Sequence, residues 1–484
     1  MQKLTREDFL KKIGIITVGA VVIPKLQATN SLFGNLIPND KLQSSNNEQT
    51  VTINENAIID LHCHPSLKMY LWDKHLWKCH NPGPGTNDIA MQDDVKQLSS
   101  GYVKGLIVAH YLMEASAEKN WSILKSFFPL IKRILPSLAD KLEHEDYSNF
   151  TQINIMIDTM ESQMHVANQK QHKIQFVVAR DFSEFEQALK DGKLPIAHAI
   201  EGAHALGRNL PISEKRKKEL TIEQFRMEDG KDKAKWYIQN LEALKKRGVC
   251  MITIGHIFKN DIAFPTEGIS PDEKKGIGMD WNYSTEKDNL SLTDIGEVVV
   301  KKMLDIGIIV DLTHCTPAGR KKVFEINTIR TNPRPLAFTH VGAQEVFKKY
   351  ADVAYSNYNY YNVSDEEILV IEACGGVIGV IPENFWLTGC DTHLKGVDAK
   401  KFKNGINYIV ETMLYINSKT KKQDFDTVAI GTDFDGLADA PKDLYVASQL
   451  GDLIEHMSKA GITSDQIKKI THKNAERLLR NGWG

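Results

Sequence analysis

Five short apolar runs in this chain each end on a residue type that binds metal. They are residues 58–64 (IIDLHCH), 195–201 (PIAHAIE), 308–314 (IIVDLTH), 335–340 (PLAFTH) and 428–433 (VAIGTD). Continuous apolar runs of this length read as strands buried on both faces. In a β/α barrel such strands deliver the residues at their C-terminal tips to the mouth, where these folds keep their chemistry. A lone His at a strand end is ordinarily a satisfied core residue. Five such endings spread over most of a chain are hard to explain by packing.

The rest of the pattern agrees with a TIM-type (β/α)8 barrel. Apolar runs alternate with amphipathic stretches, the signature of parallel β/α units. Eight candidate strands start near residues 57, 103, 195, 249, 307, 335, 375 and 427, and residues 174–179 (IQFVVA) offer a ninth. Residues 296–306 (GEVVVKKMLDI) have helical spacing, with Val299, Met303 and Ile306 on one face. Residues 465–479 repeat that pattern as a closing helix. Connections over about 111–170, 203–240 and 257–292 exceed ordinary loop length. Following strands two, three and four, they belong on the active-site face. A chain of 484 residues could hold two or three domains, but barrels with insertions run long as single units, so residues 57–484 are read as one.

The N-terminus has a different character. Lys3, Arg6, Lys11 and Lys12 precede an apolar stretch over residues 13–23, and Leu26-Gln27-Ala28 offers a weak cleavage site. This is the anatomy of an export signal over residues 1–28, too short to favour a spanning helix. Residues 5–11 (TREDFLK) look like a twin-arginine signal whose second Arg has become Glu. Residues 29–56, rich in Asn, Ser and Gln, read as a polar tether. The expected location is therefore the periplasm or cell envelope, with membrane contact only through an uncleaved signal. A formal net charge of −2 and the lack of a basic tract argue against a nucleic-acid partner. The six cysteines show no metal-finger spacing, and an exported chain could pair two of them.

His62 and His64 are two apart, so on a regular strand both imidazoles face the barrel lumen. Asp433, from the last strand, becomes their neighbour when the barrel closes. These three would hold one ion. His314 and His340 would hold a second, and Glu201, with two carboxylate oxygens, can bridge both. Imidazole and carboxylate ligands suit zinc. Two ions ~3.5–4 Å apart can share a water and lower its pKa toward about 7, giving a bridging hydroxide nucleophile. His256, without a close ligand partner, could donate to a developing oxyanion. Asp433 could exchange protons between the nucleophile and the leaving amine. Asp60 and Asp311 precede ligands and could orient the imidazoles. Alternation turns His198 away from the lumen, and His204 is undecided.

Taken in order, Glu201-Gly202-Ala203-His204, Leu292-Thr293-Asp294-Ile295-Gly296, Val310-Asp311-Leu312-Thr313-His314, Thr339-His340 and Gly431-Thr432-Asp433-Phe434-Asp435-Gly436 resemble the membrane dipeptidase (renal dipeptidase) family. Its members are binuclear zinc enzymes of the amidohydrolase superfamily. The resemblance runs from about residue 57 to 480. It implies a barrel, two zinc ions bridged at Glu201, single His ligands at His314 and His340, an acid/base role for Asp433, and transition-state stabilisation by His256. It also implies hydrolysis of dipeptides, often with tolerance of a D-residue on the C-terminal side, and allows a homodimer.

Two departures stand out. Where the family has His-x-Asp, this chain has His62-Cys63-His64, which makes the first site one negative charge poorer. Where the family clamps the dipeptide carboxylate with an Arg, the stretch here reads Tyr360-Tyr361-Asn362-Val363-Ser364-Asp365. Tyr361 is then the substrate-binding candidate, offering one neutral donor in place of a bidentate cation. The leading expectation is an exported dipeptidase. The alternatives are a related amidohydrolase acting on a lactone, ester or capped or cyclic amide, and an envelope protein that binds metal without turnover.

Overall fold

The structure, a computed structural model, describes residues 57–82, 90–113, 148–170, 172–207, 218, 220–229, 232–266, 290–351, 360–389, 405–436 and 440–484. The expected export signal and tether, residues 1–56, lie outside the described residues, as does much of the three long connections.

The described residues form nine strands: β1 (Ile58–Cys63), β2 (Val103–Tyr111), β3 (Phe176–Ala179), β4 (Leu194–Glu201), β5 (Val249–Thr253), β6 (Ile309–Asp311), β7 (Ala337–Val341), β8 (Val377–Val380) and β9 (Val428–Ile430). Every pairing is parallel, in the order β1-β2-β4-β5-β6-β7-β8-β9. The ring closes at its C-terminal rim, where Asp433 N donates to His62 O at 2.8 Å and His64 N to Phe434 O at 2.7 Å. This is the expected (β/α)8 barrel. The ninth run becomes β3, which pairs with residues 194–197 of β4 while β5 takes residues 198–201. It extends the wall below β5 and is not a member of the ring.

All residues of β1, β4, β5, β6, β7, β8 and β9 are buried, as runs flanked by lumen and helices require. Ile59, Leu61, Ile107, Ala109, Ala199, Met251, Ile309, Ala337, Val377 and Ala429 pack into one layer with Ala475, Leu478 and Trp483. Every ring strand contributes to this layer, and the closing helix Asn474–Gly482 plugs the end opposite the ligands. That closing segment is longer than expected and broken, since a π-helical turn over Lys469–Lys473 separates Ser464–Lys468 from it. The expected helix over residues 296–306 is Asp294–Ile306. Thr293 caps it by accepting from Gly296 N, and Gly307 ends it at φ 71°.

Candidate metal centre

The candidate ligands do not all sit at strand tips. Glu201 is the last residue of β4, and His62 and His340 lie inside β1 and β7. Both of these strands carry a register shift, between Asp60 and Cys63 and between Phe338 and Val341. Such irregularities re-aim side chains. Here they let Leu61 and Ala337 pack in the lumen layer while His62 and His340 reach the rim. Plain alternation does not describe β1. His314 and Asp433 lie three residues beyond β6 and β9, in left-handed backbone at φ 63° and 53°. Asp435 shares that conformation at φ 66°. Non-glycine residues adopt it at a cost, and such positions cluster at functional sites.

Glu201 stands at the focus. Its Oε1 lies 3.3 Å from His62 Nε2, 3.5 Å from His314 Nε2 and 3.4 Å from His340 Nε2. Its Oε2 lies 3.2 Å from His64 Nε2 and 3.4 Å from His256 Nε2. Asp433 Oδ1 approaches His64 Nε2 at 2.9 Å and His62 Nε2 at 4.0 Å. The imidazoles also face one another, His62 to His64 at 3.0 Å and His314 to His340 at 3.1 Å between Nε2 atoms. Gly436 makes room for this approach, because a Cβ there would run into the His64 ring and the Asp433 carboxylate.

Burial alone would favour a neutral Glu201, but the imidazoles of His256, His64 and His62 hold it well below the ordinary carboxylate range. Burial likewise opposes a charged His64, yet Glu201 and Asp433 push it up to about 10. His314 is lowered by burial, and His340 is lowered well below the usual value by burial and then by His62.

Donor atoms on a tetrahedral zinc with bonds of about 2.0–2.1 Å stand about 3.3 Å apart. The separations here run mostly from 2.9 to 3.5 Å. The donor set therefore fits divalent ions of zinc's size and ligand preference. His62, His64, Glu201 and Asp433 form one such group, and Glu201 with His256 and His314 another.

Around the cluster lie Asp311 and Asp60, expected to orient the imidazoles, together with residues that spacing did not single out. Asp311 accepts from Thr313 N and Oγ1, Thr339 N and Oγ1, and Thr253 Oγ1, tying β5, β6 and β7 together. Thr339 Oγ1 also meets His62 Nδ1 at 3.0 Å and His340 Nδ1 at 2.9 Å. Asp311 thus touches the imidazoles only through Thr339. Asp60 instead closes the seam, accepting from Thr432 N at 2.9 Å and Thr432 Oγ1 at 2.5 Å. The Trp386 ring stands 5.2 Å from His314 and 5.8 Å from His340, and the Tyr111 ring 4.3 Å from His256. The only sequence signal for Thr339 was its place immediately before a ligand.

Tyr361 is not brought to the cluster. Its ring is 1% exposed and packs against Phe347, Phe385 and Trp386, with no partner for its hydroxyl among the described residues. Arg320, also buried, donates to Tyr361 O and Asn362 O and faces Glu367, so this guanidinium is committed to the turn. Asn362 Nδ2 in turn donates to Trp386 O at 2.6 Å. The expected substrate contact is thus a buried scaffold beneath Trp386, because an aromatic ring gains more from burial here than its lone hydroxyl could offer at the surface.

His198 points away from the lumen, as expected. It joins His110 Nε2 at 2.9 Å and Glu161 Oε1 at 3.2 Å on the outer face. His204 Nε2 donates to Leu112 O, outside the cluster. The five described cysteines are unpaired. Behind β1, Cys63 faces Asp60 and Asp93, and both Asp93 oxygens are buried without an N–H or O–H donor among the described residues.

A family model described as membrane dipeptidase (peptidase family M19) matches residues 227–482. An uncharacterized dipeptidase of Schizosaccharomyces pombe is 24% identical over 195 residues, covering 40% of this chain and 41% of its own length. The dipeptidase aclJ of Aspergillus oryzae is 26% identical over 190 residues, covering 39% of this chain and 38% of its own. The chain thus spans about two fifths of the length of these curated relatives. Among solved structures, a dipeptidase AC of family M19 superposes with a TM-score of 0.60 at 17% identity, covering 88% of this chain and 99% of that one. A metallopeptidase from Rhodobacter sphaeroides, liganded with a phosphinate mimic of the dipeptide L-Ala-D-Ala, gives 0.57 at 16% identity with 88% and 99% covered. At these identities the structural likeness concerns the fold.

Proposed function

Since the chain belongs to the membrane dipeptidase family (peptidase family M19), we propose that it is an exported hydrolase of a small amide or peptide bond, with dipeptides as the leading substrates and two divalent ions, zinc first, as cofactor. The observation that carries this reading is one carboxylate, Glu201, within 3.5 Å of five imidazoles. His62, His64 and Asp433 would hold one ion, His314 and His340 the other, and Glu201 both. When bound, the ions supply Lewis acidity and lower the pKa of water toward about 7.

The protein's own part is orientation and proton handling. Asp433 is the most open member of the cluster, its side chain 15% exposed. It is placed to take a proton from the attacking water and return it to the leaving amine. His256 Nε2 points at the same centre and can donate to the oxygen on which charge develops. The aromatic rings of Trp386 and Tyr111 wall the centre, which limits water and favours an apolar side chain in the substrate.

Tyr361 and Arg320 are both buried in the turn, so neither stands free as a carboxylate clamp. This supports the second reading, a capped, cyclic or ester-like substrate. Zinc-loaded protein assayed on L,L and L,D dipeptides and on N- and C-capped analogues tests both. Faster cleavage of free dipeptides supports the first reading, and preference for C-capped amides supports the second. Bound metal with no turnover of any amide or ester overturns both in favour of a binding protein. The mass of the N-terminus of exported material tests cleavage of the signal, which an intact Met1 contradicts.

A further inference from the structure

We propose that the Thr339 hydroxyl is a shared tautomer lock for both halves of the metal centre, so that one side chain sets the affinity of two ions. The inference rests on the two-ion reading above and extends it to a positioning residue.

The argument is a count of protons. A threonine hydroxyl has one proton to give and two lone pairs. Thr339 gives its proton to Asp311 Oδ2 at 2.7 Å. Asp311 cannot return one, because its oxygens already accept from Thr313 N, Thr313 Oγ1, Thr339 N and Thr253 Oγ1. Thr339 Oγ1 is left as an acceptor; Thr313 Oγ1, 3.4 Å away, gives its own proton to Asp311 Oδ1 at 2.8 Å, so the groups left to donate are His62 Nδ1 at 3.0 Å and His340 Nδ1 at 2.9 Å. Each of these nitrogens must therefore carry hydrogen. In a neutral imidazole that leaves Nε2 as a bare lone pair, and both Nε2 atoms face Glu201 Oε1 at 3.3 and 3.4 Å. A ligating His ordinarily donates its other N–H to a fixed partner, which sets ring orientation and basicity.

The pattern across the centre makes the role specific. His64 Nδ1 and His314 Nδ1 are buried without a hydrogen-bond partner among the described residues. Each half-site thus has one ring held by Thr339 and one held by packing. The held rings, His62 and His340, belong to opposite half-sites yet lean on the same oxygen. Their ring centroids are only 4.0 Å apart. Asp311 is the anchor of this arrangement, fixing the direction of the hydroxyl from three strands at once.

The test uses the full chain and the variants Thr339→Val, which keeps shape and loses the hydroxyl, and Thr339→Ser, which keeps the hydroxyl. Zn2+ stoichiometry and stepwise affinity are read by competition with a chromophoric chelator, after circular dichroism has shown each variant folded. The Val variant should lose affinity at both sites by about 10–100-fold, while the Ser variant stays within about threefold of the parent. If Val does not fold, Thr339→Ala takes its place with the same expectation. Loss at one site alone, or unchanged affinity at both, overturns the lock. A parent protein that binds fewer than two ions overturns the two-ion reading itself, and the shared role with it. Visible absorption of the Co2+-loaded proteins gives a second readout independent of turnover, since both coordination environments should change in Val and neither in Ser.

Discussion

Replacing Asp433 with Asn should nearly abolish turnover while leaving the fold intact. The backbone explains why Asn is the right substitution. Asp433 sits at φ 53°, a left-handed conformation that Asn and Asp enter more readily than other side chains. Asp433→Ala would add a backbone penalty of about 1–2 kcal/mol, confusing stability with chemistry. Asn keeps an oxygen to face His64 Nε2, now 2.9 Å from Oδ1, and removes only the charge and the basicity. General acid–base catalysis is worth about 10²–10⁴-fold, or about 2.7–5.5 kcal/mol of barrier. Loss of a negative ligand will also weaken metal binding, so kcat is measured at saturating Zn2+ with metal content checked. The Asn variant should unfold at the parent's temperature, and the Ala variant should fall below both. A kcat within about threefold of the parent in metal-saturated protein would remove Asp433 from the chemistry.

Three further outcomes follow from the geometry. Because His64 is pushed up to about 10, it carries a proton at neutral pH that a divalent ion must displace. Zn2+ affinity should therefore rise with pH below about 10, with net proton release at pH 7 in calorimetry across buffers of different ionisation enthalpy; zero release contradicts this. Asn362→Ala withdraws the bonds to Trp386 O and from Gly342 N, which should cost about 2–4 kcal/mol in urea unfolding and raise KM as Trp386 loosens. An unchanged midpoint and KM would show that the turn does not support the ring. Burial, then Asp435, pushes Asp93 well above the ordinary carboxylate range. A raised folded-state value contributes stability below the unfolded value near 3.8 that is lost as pH climbs through the folded one. Asp93→Asn should flatten the stability profile across that interval, and an unaltered slope would assign it elsewhere.

The barrel is legible in the sequence because parallel strands covered on both faces must be apolar along their whole length. That run-and-ligand pattern survives any error in strand ends. What the sequence hides is local backbone. The shifts in β1 and β7 place Leu61 and His62, adjacent in sequence, in the lumen layer and at the rim centre respectively, which strict alternation forbids. The left-handed positions at His314 and Asp433 are not themselves glycines, so residue type does not announce them. Tyr361 misled for another reason: correspondence with a family position says where a residue stands along the chain, not whether neighbouring rings will bury it. Thr339 stands in the sequence only as the residue before His340, because a hydroxyl gains its role from the groups that surround it.

The seam between Asp60 and Thr432 joins positions 372 apart along the polypeptide. His62 and His64 lie on one lip of that seam and Asp433 on the other, so that half of the centre is not assembled until almost the whole chain has been synthesised and wrapped into a ring. Such a long-range closure is a late and slow event in folding. On the two-ion reading, capture of the ion at that half is then a finishing step, governed by the ions available wherever the last lap of the ring is completed. Stripping those ions should first loosen the join between the beginning and the end of the circle, well before the wall opposite gives way.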